Sequence, residues 1–102
     1  MSAKVFILVY TDTLGTREEI QKFLDSRQEI LSWRAELPNC FYLISESDTP
    51  YLSGLIRGFD RGNASFLVME MHTNRQGWLD PESWKFFRGD YKKKFDVDDV
   101  PF

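Results

Sequence analysis

The stretch "KVFILVY", Lys4–Tyr10, decides how the rest of the chain is read. It is apolar at almost every position and rich in β-branched and aromatic residues, the pattern of a strand covered on both faces. Phe6, Leu8 and Tyr10 then point one way and Val5, Ile7 and Val9 the other, because side chains alternate along a strand. Each set needs its own cover, so the fold must supply a layer on either side of one sheet.

The segments that follow offer candidates for those layers. In "TDTLGTREEIQKFLDSRQEI", Thr16 and Glu19 form a capping box, and Ile20, Phe23, Leu24 and Leu31 recur at helical spacing. "SWRAEL" alternates Trp33, Ala35 and Leu37 against Arg34 and Glu36, Pro38-Asn39 supplies a turn, and "CFYLISE" returns as the second strand of a hairpin. Asp48 or Thr49 caps a second helix, with Pro50 in its first turn, Leu52, Leu55, Ile56 and Phe59 on one face, and an end near Gly62. "SFLVMEM" reads as the last strand, and Asp80-Pro81-Glu82 opens a short third helix holding Trp84 and Phe87. The order predicts an α+β protein, a ferredoxin-like βαββαβ sandwich with four antiparallel strands and both longer helices on one face. Residues 1–88 form the expected domain, and residues 89–102 a flexible charged tail.

With two helices on one face, the other needs a partner. Leu67 and Met69, opposite Phe66 and Val68, share that need. Three covers are available: a second copy packed sheet to sheet, the third helix with Trp78 and Trp84, or single-stranded nucleic acid stacked on aromatic rings. Aliphatic residues outnumber aromatic ones on that face, and aliphatic side chains do not stack bases. The expectation is therefore a homodimer assisted by the third helix.

A chain of 102 residues that is 42% hydrophobic, with nine Phe and three Trp, suits one domain with a small core. No apolar run approaches the ~18 residues of a membrane span, and "MSAK" leads into a strand without a cleavable signal, so the expected location is the cytoplasm. The single cysteine, Cys40, excludes an internal disulfide and reads as a small buried residue. The net charge of −3 conceals a partition. Residues 1–54 stand at −3, residues 55–95 at +3, and Asp96, Asp98 and Asp99 add −3. A basic second half permits a nucleic-acid or acidic-partner surface.

Candidate chemistry is sparse. His72 stands alone at a strand end, with no second histidine or cysteine to complete a metal set. "GNAS" and "RGFDRG" lack the glycine spacing of a phosphate-cradling loop. Arg57, Arg61, Arg75, Arg88, Lys92, Lys93 and Lys94 are the candidate nucleic-acid contacts. Asp12, in "TDTLGT", is a loop carboxylate suited to bonding backbone amides nearby.

"KVFILVYTD", "SWRAELPNCFYLISES", the helix opening at Thr49-Pro50, "ASFLVMEM" and "NRQGWLDPESWKFF" together resemble the SinR-like small bacterial proteins. These are similar to the small ferredoxin-fold subunit of the CRISPR adaptation complex. The resemblance covers residues 4–88 and rests on element order and local phrases, chiefly "NRQGWL". It implies a dimer whose protomers each offer an Asp just after the first strand to a shared Mg²⁺ or Mn²⁺ for phosphodiester hydrolysis. Here Thr11 follows the strand and the acid comes one place later, as Asp12, where strand alternation would turn it the other way. The primary expectation is accordingly no cofactor and no catalytic residue, with a metal-dependent nuclease using Asp12 as the alternative.

The chain closes on "YKKKFDVDDVPF". Its last residues, Asp98, Asp99, Val100, Pro101 and Phe102, resemble the C-terminal tip of bacterial single-stranded-DNA-binding proteins, which recruits replication and repair enzymes. Phe102 joins a ring and an α-carboxylate in one residue, a pair that an apolar pocket rimmed by Arg or Lys can capture. Val97 departs from the pattern by replacing an acid. The expectation is a non-enzymatic accessory or decoy in DNA transactions, from a phage or mobile element. It would display this tip to partner enzymes, with single-stranded nucleic acid as a further partner; a structural interaction module is the plainer alternative.

Overall fold

The computed structural model describes residues 2–60 and 62–93. Lys4–Tyr10 forms β1, Arg17–Ser26 α1, Ser32–Arg34 β2, Cys40–Ser45 β3, Thr49–Asp60 α2, Phe66–Glu70 β4 and Pro81–Phe87 α3. The result is an α+β protein with one four-stranded antiparallel sheet in the order β2-β3-β1-β4 and three α-helices. β1 and β3 are the two inner strands, which is why their sequences are the most uniformly apolar.

The caps form where local sequence places them. Thr16 accepts from the Glu19 N–H at 3.1 Å while Glu19 accepts from the Thr16 N–H at 2.8 Å, closing the capping box of α1. Asp48 accepts from the Tyr51 N–H at 3.0 Å and so caps α2. Asn39 turns β2 into β3 with φ of 53°, a left-handed conformation that asparagine tolerates. α1 stops at Ser26, so Leu31 is not on its apolar face: it lies beside β2 and packs on the opposite side of the sheet. β2 ends at Arg34, and Leu37 is exposed instead of continuing the strand's buried set.

Two separate cores result. On one face, Phe6 and Leu8 of β1 and Phe41 and Leu43 of β3 meet Ile20 and Leu24 of α1 and Leu52 and Ile56 of α2. On the other, Cys40, Tyr42 and Ile44 of β3 meet Phe86 and Phe87 of α3, with Val5, Ile7, Leu31, Leu79, Trp84 and Tyr91 at the margin. Of the covers considered for this second face, α3 occupies the β3 side. Trp84 stacks edge-on against Phe87 at 5.5 Å, but Trp78 is fully exposed and covers nothing in the protomer.

Seven residues make a helix too short to persist in water by itself. Burying Phe86 and Phe87 supplies ~1.5–3 kcal/mol each towards holding it. A polar clip fixes its position. Arg34 Nε donates to Ser83 Oγ at 2.6 Å, Ser83 Oγ donates to Glu36 Oε1 at 2.5 Å, and the Asp80 N–H donates to Glu36 Oε2 at 2.7 Å. Asp80 caps α3 by accepting from the Glu82 N–H at 2.9 Å and lies 3.6 Å from the Arg34 guanidinium. Contacts with the body continue past residue 88, where sequence placed the domain boundary: Tyr91 packs on Phe86, and Ser32 Oγ donates to the Lys92 carbonyl at 2.9 Å.

Ser83 is fully buried and bonded on both sides. Ser83→Ala should therefore cost about 1–3 kcal/mol by stranding the Glu36 and Arg34 groups that face it. Urea denaturation reads this as a lowered midpoint at unchanged slope; an unchanged midpoint would show that the clip does not hold α3.

Candidate functional site

The residues around Asp12 are assembled by three chain reversals. Past β1 the backbone enters a single 3-10 turn, Asp12–Leu14, and Gly15 then leads into the α1 cap at Thr16. The β2–β3 turn brings Asn39 alongside, where its amide donates to Asp12 Oδ1 at 2.8 Å and to the Tyr10 carbonyl at 3.0 Å. The expectation that Asp12 bonds nearby backbone amides is thus met differently, through a side chain 27 residues away. A groove of about 330 Å³ lies here, lined by Tyr10, Asp12, Gly15, Thr16, Arg17, Pro38 and Asn39. Burial raises the Tyr10 hydroxyl pKa, with Arg17 opposing the shift.

This groove offers one carboxylate, and the Asn39 amide nitrogen that holds it is a donor and no metal ligand. A divalent Mg²⁺ or Mn²⁺ site draws on several oxygen ligands. Among the described residues no three His, Cys, Asp or Glu side chains converge in a way that could hold a metal. The groove of one copy thus supplies a single carboxylate to a divalent cation.

The basic candidates fall on different sides of the molecule. Arg57, on α2, lines a groove with Pro50, Ser53, Gly54, Ala64, Ser65 and Phe66 and lies 3.9 Å from the buried Asp60 carboxylate. Arg75 stands over the Phe87 ring at 5.6 Å, on the α3 side of the sheet. Arg88 is the C-cap of α3 and lines a groove with Lys4, and Lys92 and Lys93 follow it at the surface. The fold brings Arg88 near Lys4 but keeps Arg57 in the other helical layer. Arg61, Lys94 and the tip residues Asp98, Asp99, Val100, Pro101 and Phe102 lie outside the described residues. His72 is an exposed strand-end side chain, 3.6 Å from Glu70. Cys40 is buried, which pushes its thiol pKa up and makes it a core residue.

One cluster escaped the sequence reading. Tyr51, in the first turn of α2, donates its hydroxyl to Glu29 Oε2 at 2.7 Å, and Arg27 grips the same carboxylate through Nε at 3.2 Å and Nη2 at 3.0 Å. The Tyr51 hydrogen bond, then Arg27, lower the Glu29 pKa to about 2. Arg27 and Glu29 are neighbours in sequence, but nothing in local pattern announces Tyr51. The cluster ties the loop after α1 to the start of α2.

The remaining feature is apolar. Tyr42, beneath α3, has a buried hydroxyl with no hydrogen-bond partner among the described residues, and burial pushes its pKa up to about 12. Further along the same face, beyond the reach of α3, Leu67 is 52% exposed, Met69 45% and Val9 38%. The two most exposed belong to β4, an edge of the sheet.

No family model, curated protein or solved structure gives a significant match to the chain. No helix among the described residues is long and apolar enough to cross a membrane.

Because the folded Glu29 pKa lies below its ordinary value of 4.5, its cluster stabilises fully above that value and loses its contribution as pH falls towards about 2. Tyr51→Phe removes the largest cause. Carboxyl-carbon NMR titration should then show the Glu29 pKa moving upward. The stability gap between wild type and variant should be present at neutral pH and vanish below about pH 2.

Proposed function

We propose that this chain is a non-enzymatic accessory in DNA transactions, a ferredoxin-like body that presents the tip Asp98-Asp99-Val100-Pro101-Phe102 to enzymes that read the corresponding tip of single-stranded-DNA-binding proteins. The tip sequence carries this reading. A pocket rimmed by Arg or Lys would take the Phe102 ring and its α-carboxylate together, while Asp98 and Asp99 meet a basic ridge. Pro101 restricts the approach and lowers the cost of ordering. The strand order β2-β3-β1-β4, with α1 and α2 on one face, supports the ferredoxin-like assignment. The anchoring of Tyr91 and Lys92 supports a body that holds the start of the tail in place. Arg88, Lys92 and Lys93, consecutive with that anchor, are the surface cations best placed to touch nucleic acid near the tip.

Fluorescence anisotropy against a tip-reading repair enzyme tests the reading, with wild type, a Phe102 deletion and a chain extended by one glycine past Phe102. Both changes should weaken binding at least tenfold, and raising salt should weaken the wild type. Unchanged binding in the deletion overturns it. The alternative, a divalent-metal nuclease, requires Asp12 from two copies, and the Asn39 contact and the single carboxylate of the groove count against it. Asp12→Asn is expected to leave DNA untouched in Mg²⁺ or Mn²⁺, as the wild type does; metal-dependent cleavage that the variant abolishes would establish the nuclease instead.

A further inference from the structure

We infer that β4 is the site of self-association: two copies of this chain pair edge to edge, antiparallel, about a two-fold axis at Val68, and join their sheets into one. The inference concerns assembly and does not depend on what the tail recruits.

Main-chain direction comes first. At either end of the β1–β4 ladder, the Thr11 N–H donates to the Ser65 carbonyl at 3.0 Å and the Met71 N–H donates to the Val5 carbonyl at 2.8 Å. Hydrogen-bonded pairs recur every second residue in an antiparallel ladder. Ser65, Leu67, Met69 and Met71 therefore turn their polar groups towards β1, and Phe66, Val68 and Glu70 turn theirs to the outer edge, where no strand of the described residues pairs with them. An open, apolar strand edge is a template for another strand unless charge, proline or a covering element blunts it. β4 reads "FLVME" and has no proline.

The edge is also complementary to itself. An axis at Val68 sets Val68 against Val68, Phe66 against Glu70 and Leu67 against Met69, so that all three outward-facing residues of each copy pair. Moving the axis to Leu67 or Met69 leaves one of the three without a partner inside the strand. In the Val68 register, Leu67 and Met69 fall in the close, non-hydrogen-bonded pairs and cover each other. Charge agrees. Glu70 of the second copy arrives beside Phe66, in the groove of about 640 Å³ that Arg57 lines. That groove is walled by the small residues Ser53, Gly54, Ala64 and Ser65, which leave room for the incoming side chains. The contact lies at the small end of interfaces, under ~1,200 Å² in total, so association depends on concentration.

The test uses exposed positions and the full chain, with circular dichroism confirming the fold of each variant. Light scattering behind size exclusion should give a dimer for wild type at high concentration. Leu67→Lys/Met69→Lys and Leu67→Glu/Met69→Glu should each raise the dimer dissociation constant about tenfold or more. Mixing the two should restore a dimer, since every lysine then faces a glutamate. Val9→Lys is the control: Val9 lies on the inner strand β1, away from the edge, and its change should leave the dimer intact. A wild type that stays monomeric overturns the inference. So does a dimer that survives both double variants, a mixture that stays monomeric, or a dimer lost on Val9→Lys, which would mean packing across the sheet face.

Discussion

The docking of α3 on the second face of the sheet is the constraint on which the rest of the structure depends. β1 and β3 carry apolar side chains to both sides, and α1 and α2 cover one side only. Without α3, Tyr42, Ile44 and Cys40 would lie in water. With it they form a second core under Phe86 and Phe87. The polar clip of Arg34, Glu36, Asp80 and Ser83 sets where this short helix sits, because every buried group in it has a partner. The same docking carries the chain on to Tyr91 and Lys92, which contact Phe86 and Ser32.

α3 is too short to span the sheet. It shields the β3 side and leaves Val9, Leu67 and Met69 towards β4. The exposed apolar patch is thus a remainder set by helix length, and it coincides with an edge strand whose outer main-chain groups meet no other strand among the described residues. Apolar side chains and unpaired backbone on one edge favour the same solution, an added strand. Among the described basic candidates, Arg57 lies in the layer of α2, and Arg75 and Arg88 lie at α3 on the other side of the sheet.

Features that depend on a few neighbouring residues were legible in the sequence. The Thr16–Glu19 box, the Asp48 cap, the Asn39 turn and the Asp80-Pro81 start of α3 each act within one turn of chain, and each forms. Expectations that extended a period too far failed. Leu31 fits the spacing of α1, yet the helix has ended and the residue serves the opposite core. Leu37 continues the alternation of β2, but the strand stops at Arg34 and the side chain faces water. Trp78 looks like a large apolar cover and covers nothing in the protomer. Periodicity says which side a residue would face if its element continued; packing decides whether it continues. The site around Asp12 was legible only as a residue, because its partner Asn39 comes from another turn.

The sequence by itself determined that this is an α+β protein built on a doubly buried sheet, with its caps, its turns and its acidic aromatic tip, since each follows from local chemistry or from alternation along one strand. Tertiary structure alone decided that α3 covers the β3 half of the second face, that Tyr51 and Arg27 hold the Glu29 carboxylate, and that β4 is an edge strand. The physical reason is sequence separation. A contact between residues many positions apart exists only once the chain has met the entropic cost of bringing them together, and no local pattern records which of the available pairings repays it.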